Sequence, residues 1–173
     1  MQELHQLITQ LSFRRGAFTL ASGQSSTYFF DLKPTMLHPL GANLIAREVL
    51  DIVSQFEADA IGGLVVGAVP LIAATVTLSH GKRPLRGFYV RKEAKDHGTA
   101  QLIDGLDVAG LTVILLEDVT TTGGSLLKAA TAVRAAGGNV QNAVTVIDRQ
   151  AGGGYNLEHH GIKLRSIFTL DDF

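Results

Sequence analysis

Apolar and polar residues alternate with a helical period in two stretches near the start of the chain. The first stretch covers residues 4–11 and the second covers residues 39–56, where the charged residues fall off the apolar stripe. An apolar residue at every third or fourth position is typical of an amphipathic helix. Between these stretches, residues 18–20 and 28–30 are extended in character and largely aromatic. The first 35 residues are therefore predicted to mix a helix with short strands.

The middle of the chain twice repeats an order of apolar run, helical stretch and apolar run. Because strands that alternate with helices are typical of βαβ units, the predicted fold class is α/β, with a central mostly parallel sheet flanked by helices. A glycine turn at residues 152–154 precedes one more strand. The strands are predicted at residues 60–66, 85–90, 112–116, 140–147 and about 163–170, and the helices from the turn at 67–70 to residue 80 and at 125–136.

One long segment interrupts this alternation. Residues 91–110 are charged, contain glycine and have little apolar periodicity. Compact domains seldom keep loops of this length without a functional reason. We therefore expect a mobile lid, and we place its flexible part at about residues 91–104.

Composition restricts the kinds of function that the chain can have. With 173 residues, 46% of them hydrophobic, it can bury roughly 70% of its unfolded surface as one domain. A net charge of -1 predicts no binding to nucleic acid or to an anionic membrane. No apolar run approaches the roughly 20 residues that span a bilayer. The absence of cysteine excludes disulfides and thiolate nucleophiles, and it fits the cytoplasm best.

The most informative motif is a buried strand that ends in two acids and continues into a hydroxyl-rich and glycine-rich loop before a helix. Backbone N–H groups at such a helix start converge on a phosphate, and the acids beside them suit the hydroxyls of a ribose. Their charge also favours positive character at an anomeric carbon. An ordinary strand end followed by a helix cap is the alternative. The residues concerned are Glu117, Asp118, Val119, Thr120, Thr121, Thr122, Gly123, Gly124 and Ser125.

This motif, with the strand before it, resembles the signature with which type I phosphoribosyltransferases bind phosphoribosyl pyrophosphate (PRPP). Residues 91–98, Arg-Lys-Glu-Ala-Lys-Asp-His-Gly, resemble the flexible catalytic loop of the orotate phosphoribosyltransferase family. The likeness runs from about residue 13 to residue 152. It implies the type I fold as a single domain over residues 1–173, with an α/β core at about 36–149 and a small hood formed mainly by residues 1–35 and 150–173.

The resemblance gives the lid a role in the departure of pyrophosphate. Arg91, Lys92, Lys95 and His97 can close over that anion, neutralise its growing charge and exclude water. We expect Lys95, His97 and Asp118 to act in catalysis. His97 can exchange a proton or can only position the substrate. Taken alone, the same segment also fits an ordinary solvated loop.

Three further segments match the family. Gly67, Ala68 and Val69 stand where its pyrophosphate loop lies, although an ordinary turn explains them equally well. Phe29 and Phe30 resemble hood residues that pack on orotate, and we expect one of the two to contact the base. Arg149, with Thr121, matches the orotate site, and its fork suits a carboxylate. A salt bridge between Arg149 and an acid such as Asp148 is the alternative.

Three positions depart from common family patterns. Ala21 stands where some members carry lysine, Ala151 where glutamate is frequent, and the loop at residues 67–70 lacks a lysine. Lys33 cannot be assumed to compensate. These differences bear on the contacts to the base and to pyrophosphate more than on the use of PRPP.

The resemblance implies transfer of the phosphoribosyl group from PRPP to orotate, which gives orotidine 5′-monophosphate and pyrophosphate in pyrimidine biosynthesis. It also implies Mg²⁺ carried mainly by PRPP, without a protein metal motif, and a homodimer whose flexible loop reaches the partner's site. Two alternatives share the phosphate motif. They are a purine-base phosphoribosyltransferase and a non-catalytic regulator that senses PRPP.

Overall fold

The computed structural model describes residues 1–19, 25–81, 83–93 and 102–173. Helices and strands follow one another along the chain in the predicted alternation. In order they are α1 (Gln2–Leu11), β1 (Phe13–Thr19), β2 (Ser25–Phe30), α2 (Lys33–Met36), α3 (Pro39–Val53), β3 (Ala60–Gly62), α4 (Ala68–Ser79), β4 (Arg86–Gly87), β5 (Tyr89–Val90), β6 (Ile103–Asp104), β7 (Thr112–Thr120), α5 (Gly124–Ala135), β8 (Asn139–Asp148), α6 (Gly153–His159), β9 (Lys163–Thr169) and a final 3₁₀ turn (Leu170–Asp172).

Five of these strands form the central sheet in the order β4-β3-β7-β8-β9. Every neighbouring pair is parallel, so the carboxyl ends of the strands meet along one edge. The predicted α/β class with a parallel sheet flanked by helices is confirmed. Ligands of open parallel sheets bind at that edge, which directs attention to the ends of β7 and β8.

The central strand β7 explains how the sheet is covered on both faces. Its residues alternate between two cores: Ile114 and Leu116 pack with α1, α3 and α4, whereas Val113 and Leu115 pack with α5 and α6. All four are at most 1% exposed. Full burial of such a side chain stabilises the fold by about 1.5–3 kcal/mol. A continuous apolar run is therefore what a strand needs when both of its faces are buried.

The hood joins the two ends of the chain. β1 and β2 form an antiparallel hairpin, and the ring of Phe173 packs against the hairpin residue Phe30, with centroids 5.2 Å apart. Phe173 also stacks on His5 of α1 at 4.6 Å. Arg15 donates a hydrogen bond of 2.7 Å to the Phe173 carbonyl oxygen.

The C-terminal boundary of the hood differs from the prediction. The sequence predicts a hood formed mainly by residues 1–35 and 150–173, but β9 is the fifth strand of the main sheet and pairs with β8. The cause is parallel pairing, which places Phe168 in the core. Only the end of the chain after β9 packs on the hairpin.

Several boundaries depart from the predicted pattern. The strand predicted at residues 60–66 ends at Gly62, and β1 begins at Phe13 because the hairpin pairs its exposed arginines with β2. The glycine turn at 152–154 opens helix α6 instead of a loop, since Gly152 takes a left-handed φ of 86° as its N-cap and Leu157 is fully buried. In the part of the chain that the structure describes, no helix has the length and apolarity to cross a membrane.

Candidate active site

The segment that joins the end of β7 to the start of α5, residues 120–125 and here called the phosphate loop, presents backbone N–H groups at the edge of the sheet. The N–H groups of Thr122, Gly123, Gly124 and Ser125 donate to none of the described residues. Gly123 is the N-cap of α5 with a left-handed φ of 79°, a conformation that glycine adopts without steric cost. The loop therefore offers several N–H groups and the positive end of a helix dipole to an anion.

Helix α6 holds this loop from behind. Asn156 donates a hydrogen bond of 2.9 Å from Nδ2 to the carbonyl oxygen of Thr122. A Cβ on Gly153 would lie 2.7 Å from Cγ2 of Thr120 and 2.8 Å from the carbonyl oxygen of Thr121, so only glycine fits this contact. The hydroxyl of Thr120 is buried and has no partner among the described residues.

Glu117 and Asp118 end the buried run of β7, and their side chains are close enough to share a hydrogen bond. Glu117 is 7% exposed, and its Oε2 is buried without a partner in the described structure. Burial raises the pKa of the Glu117 carboxyl to about 8, and the hydrogen bond and the charge of Asp118 act in the same direction. The nearby Ser125 hydroxyl opposes that rise. The pair therefore holds a proton near neutral pH.

Asp118 lies beside the turn that precedes α4. Its Oδ1 accepts a hydrogen bond of 2.8 Å from the N–H of Val119. A Cβ on Gly67 would lie 2.8 Å from the same oxygen. The structure thus brings the predicted pyrophosphate loop against the acidic end of β7.

The other two residues predicted for the pyrophosphate loop belong to the first turn of α4. The N–H of Ala68 faces the Leu64 carbonyl oxygen at 3.4 Å, and the N–H of Val69 faces that of Val66 at 3.2 Å. Both bonds are long for an N–H to oxygen pair. Ala68 is fully buried, whereas Val66 is 63% exposed. The exposed part of this loop therefore lies just before the residues that the sequence indicates.

Arg149 follows β8 and joins it to the phosphate loop. The backbone N–H of Arg149 donates a hydrogen bond of 2.9 Å to the Thr120 carbonyl oxygen. The guanidinium Nη1 lies 3.4 Å from Oγ1 of Thr121. The described residues include no ion pair to Arg149; Oδ1 of Asp148 instead accepts the N–H of Gln150 at 2.8 Å. The alternative of a salt bridge with Asp148 is therefore wrong. A partly buried guanidinium remains without a carboxylate partner.

The hood strand β2 places its aromatic side chains on two faces. Phe30 is 9% exposed and packs on Phe13 with centroids 4.8 Å apart. Phe29 is 41% exposed and lies 5.6 Å from Phe18. Contact of either ring with a base stays a prediction. The aromatic residue that the structure brings to Arg149 is Tyr28, whose ring centroid is 4.9 Å from the guanidinium carbon. Tyr28 belongs to the hood segment that resembles the family, but no contact with Arg149 was predicted for it.

Two short antiparallel strands, β5 and β6, lie at the two ends of the lid. β5 pairs with β6, so the segment predicted as a loop contains a strand. Arg91 forms an ion pair of 3.1 Å with Asp104 across this pair, and Lys92 is exposed. The predicted catalytic residues Lys95 and His97 lie outside the described residues, as does Ala21.

Lys33 lies close to the acidic end of β7. It forms an ion pair of 2.9 Å with Asp31. The hydrogen bond to Asp31 raises the pKa of Lys33, and the charge of Asp118 contributes in the same direction. No role was predicted for Lys33 from the sequence. The departure Ala151 is exposed at the start of the turn into α6.

Comparison with known proteins agrees with this geometry. Residues 36–162 match the model of the phosphoribosyl transferase domain. The chain is 43% identical over 175 residues to an orotate phosphoribosyltransferase of Rhodopseudomonas palustris, covering 98% of this chain and 94% of that one. It is 44% identical to one of Rhodopirellula baltica, covering 94% and 88%. The crystal structure of Mycobacterium tuberculosis orotate phosphoribosyltransferase in complex with PRPP superposes with a TM-score of 0.83 at 36% identity, covering 98% of this chain and 96% of that one. The chain therefore belongs to the orotate phosphoribosyltransferase family.

Proposed function

We propose that this chain displaces pyrophosphate from C1 of PRPP by N1 of orotate, which gives orotidine 5′-monophosphate in pyrimidine biosynthesis. The observation that carries the proposal is the guanidinium of Arg149 beside the phosphate loop, which forms no ion pair with the described residues. The phosphate loop suits a phosphate, the acids at the end of β7 suit a ribose, and Arg149 suits a planar carboxylate. Orotate and PRPP together present these three groups.

The phosphate loop receives the 5-phosphate of PRPP. Its N–H groups, which donate to none of the residues that the structure describes, and the dipole of the twelve-residue helix α5 favour a dianion at this point. Glu117 and Asp118 then lie beside the ribose, where they accept hydrogen bonds from its hydroxyls. The single negative charge that the pair retains while it holds a proton favours the oxocarbenium-like transition state that develops as pyrophosphate leaves.

The turn at Gly67 and the lid bind the leaving group. Gly67 lies against Asp118, so the backbone before α4 meets the pyrophosphate of a ribose held there. Arg91, Lys92, Lys95 and His97 supply positive charge from the lid, which neutralises the departing anion and excludes water.

The resemblance to the family implies Mg²⁺, and the residues of the site fit an ion that is carried by the substrate. In the described parts of the chain, no three His, Asp or Glu side chains converge on one point. Oε2 of Glu117, which has no partner in the described part of the chain, and the carboxylate of Asp118 are oxygen donors of the kind that Mg²⁺ prefers. A bound Mg²⁺ would be held mainly by the phosphates of PRPP and would supply charge neutralisation.

We also propose that the chain acts as a cytoplasmic homodimer in which the lid of one subunit closes over the site of its partner. The absence of cysteine supports a reducing compartment. The support for the dimer is family membership.

The test of the proposed reaction is the absorbance of orotate on mixing the purified chain with orotate, PRPP and Mg²⁺. We expect consumption of orotate that needs all three components, and a loss of rate of at least about a hundredfold in Lys95→Ala and in Asp118→Asn. Conversion of adenine or guanine instead of orotate would establish a purine enzyme. PRPP binding without turnover of any base would establish a sensor.

A further inference from the structure

Arg149 has few partners for a guanidinium that must receive a substrate in one orientation. Its only described polar side-chain contact is the long one of 3.4 Å to Thr121, and its Nε is buried without a partner in the described structure. Arginine has several rotatable bonds, so the side chain needs another contact to fix the plane of its guanidinium group. The ring of Tyr28, 4.9 Å from the guanidinium carbon, supplies that contact.

Tyr28 is itself held firmly by the hood. It pairs with Arg15 in the β1–β2 hairpin, and the Ser26 hydroxyl donates a hydrogen bond of 2.8 Å to its carbonyl oxygen. Its ring meets Phe30 edge to face, with centroids 5.9 Å apart. Phe30 belongs to the aromatic cluster around Phe173. The Tyr28 ring is therefore supported by packed neighbours.

We propose that Tyr28 is a positioning residue for base selection: its ring fixes the guanidinium of Arg149 so that the N–H donors face the carboxylate of orotate. The inference rests on the proposed function and deepens it. The observed separation lies within the about 6 Å over which a cation is attracted to a ring face. A guanidinium stacked on a ring face keeps the N–H groups at the edge of the guanidinium accessible. A carboxylate binds these N–H groups in a bidentate manner.

This arrangement makes the hood part of substrate recognition. Arg149 is anchored to the sheet through its backbone bond to Thr120, while its side chain is held from the hairpin. Loss of the ring lets the guanidinium sample other orientations and removes its preorganisation. Orotate binding then weakens, whereas PRPP binding, which depends on the phosphate loop and the acids, stays. The affinity for a base without the carboxylate, such as uracil, does not change when the ring is lost.

The experiment compares Tyr28→Leu, Tyr28→Phe and Phe13→Leu with the unaltered chain. Phe13 is the matched control because its ring also packs on Phe30 but lies near Arg15 instead of Arg149. We expect Tyr28→Leu to raise the KM for orotate about tenfold, with the KM for PRPP and the melting temperature close to those of Phe13→Leu. Tyr28→Phe keeps the ring face and should restore orotate binding to within about twofold.

A double-mutant cycle with Arg149→Met separates action through Arg149 from a direct contact with the base. We expect Tyr28→Leu to add less than about twofold to the KM for orotate once Arg149 is replaced. Additive effects, an unchanged KM in Tyr28→Leu, or equal increases in the KM for both substrates would each overturn the inference. Absence of orotate turnover in the unaltered chain would instead overturn the proposed function, so the two failures are distinguishable.

Discussion

Gly67 and Asp118 approach so closely that a Cβ on Gly67 would lie 2.8 Å from Oδ1 of Asp118. The turn before α4 and the acidic end of β7 are therefore packed as one surface. The φ of Gly67 is -57°, which any residue adopts. Glycine is therefore required at this position because a Cβ has no space beside the Asp118 carboxylate.

The first prediction concerns this contact. Gly67→Ala should displace the Asp118 carboxylate and lower kcat/KM for PRPP at least about tenfold, because a shift of the acid misplaces it relative to the ribose. Steady-state kinetics with varied PRPP measure the effect. Gly154→Ala is the control, since a Cβ at that position meets nothing within 4 Å. Equal activity in both variants would show that Asp118 tolerates the added methyl group.

The second prediction concerns the pH dependence of stability. The pKa of Glu117 is raised to about 8 from a value of 4.5, so the native state binds its proton more tightly than the unfolded chain does. Its contribution to stability is full below about pH 4.5 and is lost as the pH rises through 8. Glu117→Gln cannot ionise, so it should gain at least about 1 kcal/mol of unfolding free energy over the unaltered chain between pH 5.5 and pH 8.5.

Urea unfolding of both proteins at the two pH values checks this prediction. Other titrating groups are common to the two chains and cancel in the difference. A difference that stays constant between pH 5.5 and pH 8.5 would mean that Glu117 titrates near its ordinary pKa.

The third prediction concerns the support of the phosphate loop by α6. Gly153→Ala introduces a Cβ 2.7 Å from Thr120 and 2.8 Å from the carbonyl oxygen of Thr121. We expect the loop to shift and the affinity for inorganic phosphate and for PRPP to fall at least about tenfold, because the loop N–H groups no longer converge. Isothermal titration calorimetry measures both ligands. Gly154→Ala again serves as the control, and unchanged affinity in Gly153→Ala would exclude α6 as the support.

Much of the fold is predictable from the sequence because the patterns that specify it are local. The apolar run of β7 needs two buried faces, and the acids and glycines after it identify the carboxyl edge of a parallel sheet. By contrast, Gly152 to Gly154 have the composition of a loop, and the burial of Leu157 that makes α6 a helix is a tertiary effect. The membership of β9 in the sheet also depends on its pairing with a distant strand.

The site was predictable to the same extent. Glu117, Asp118 and the phosphate loop are contiguous in the chain, so the sequence alone indicates their motif. The contact between Tyr28 and Arg149 joins the hood to the end of β8, and no spacing in the chain indicates it. The proximity of Gly67 to Asp118 likewise arises only when α4 packs against β7.

The fourth prediction concerns sharing of the lid between subunits. Lys95→Ala and Asp118→Asn each inactivate a different part of the site. If the lid acts on the partner's site, half of the dimers formed at random from both variants contain one intact site, so activity should recover to about a quarter of that of the unaltered chain. Assays after refolding the variants together measure this recovery. Activity that stays at the level of the separate variants would place the lid over the site of its own subunit.

The central claim is that Arg149 selects a base by its carboxylate. The most direct measurement is a competition assay in which the chain receives PRPP, Mg²⁺ and equal amounts of orotate, uracil, adenine and guanine, with product nucleotides separated by chromatography. The account predicts orotidine 5′-monophosphate as the product, and a fall of at least about a hundredfold in its formation in Arg149→Met because the carboxylate then loses a charge-assisted partner. Formation of a purine nucleotide, or an unchanged rate in Arg149→Met, would contradict it.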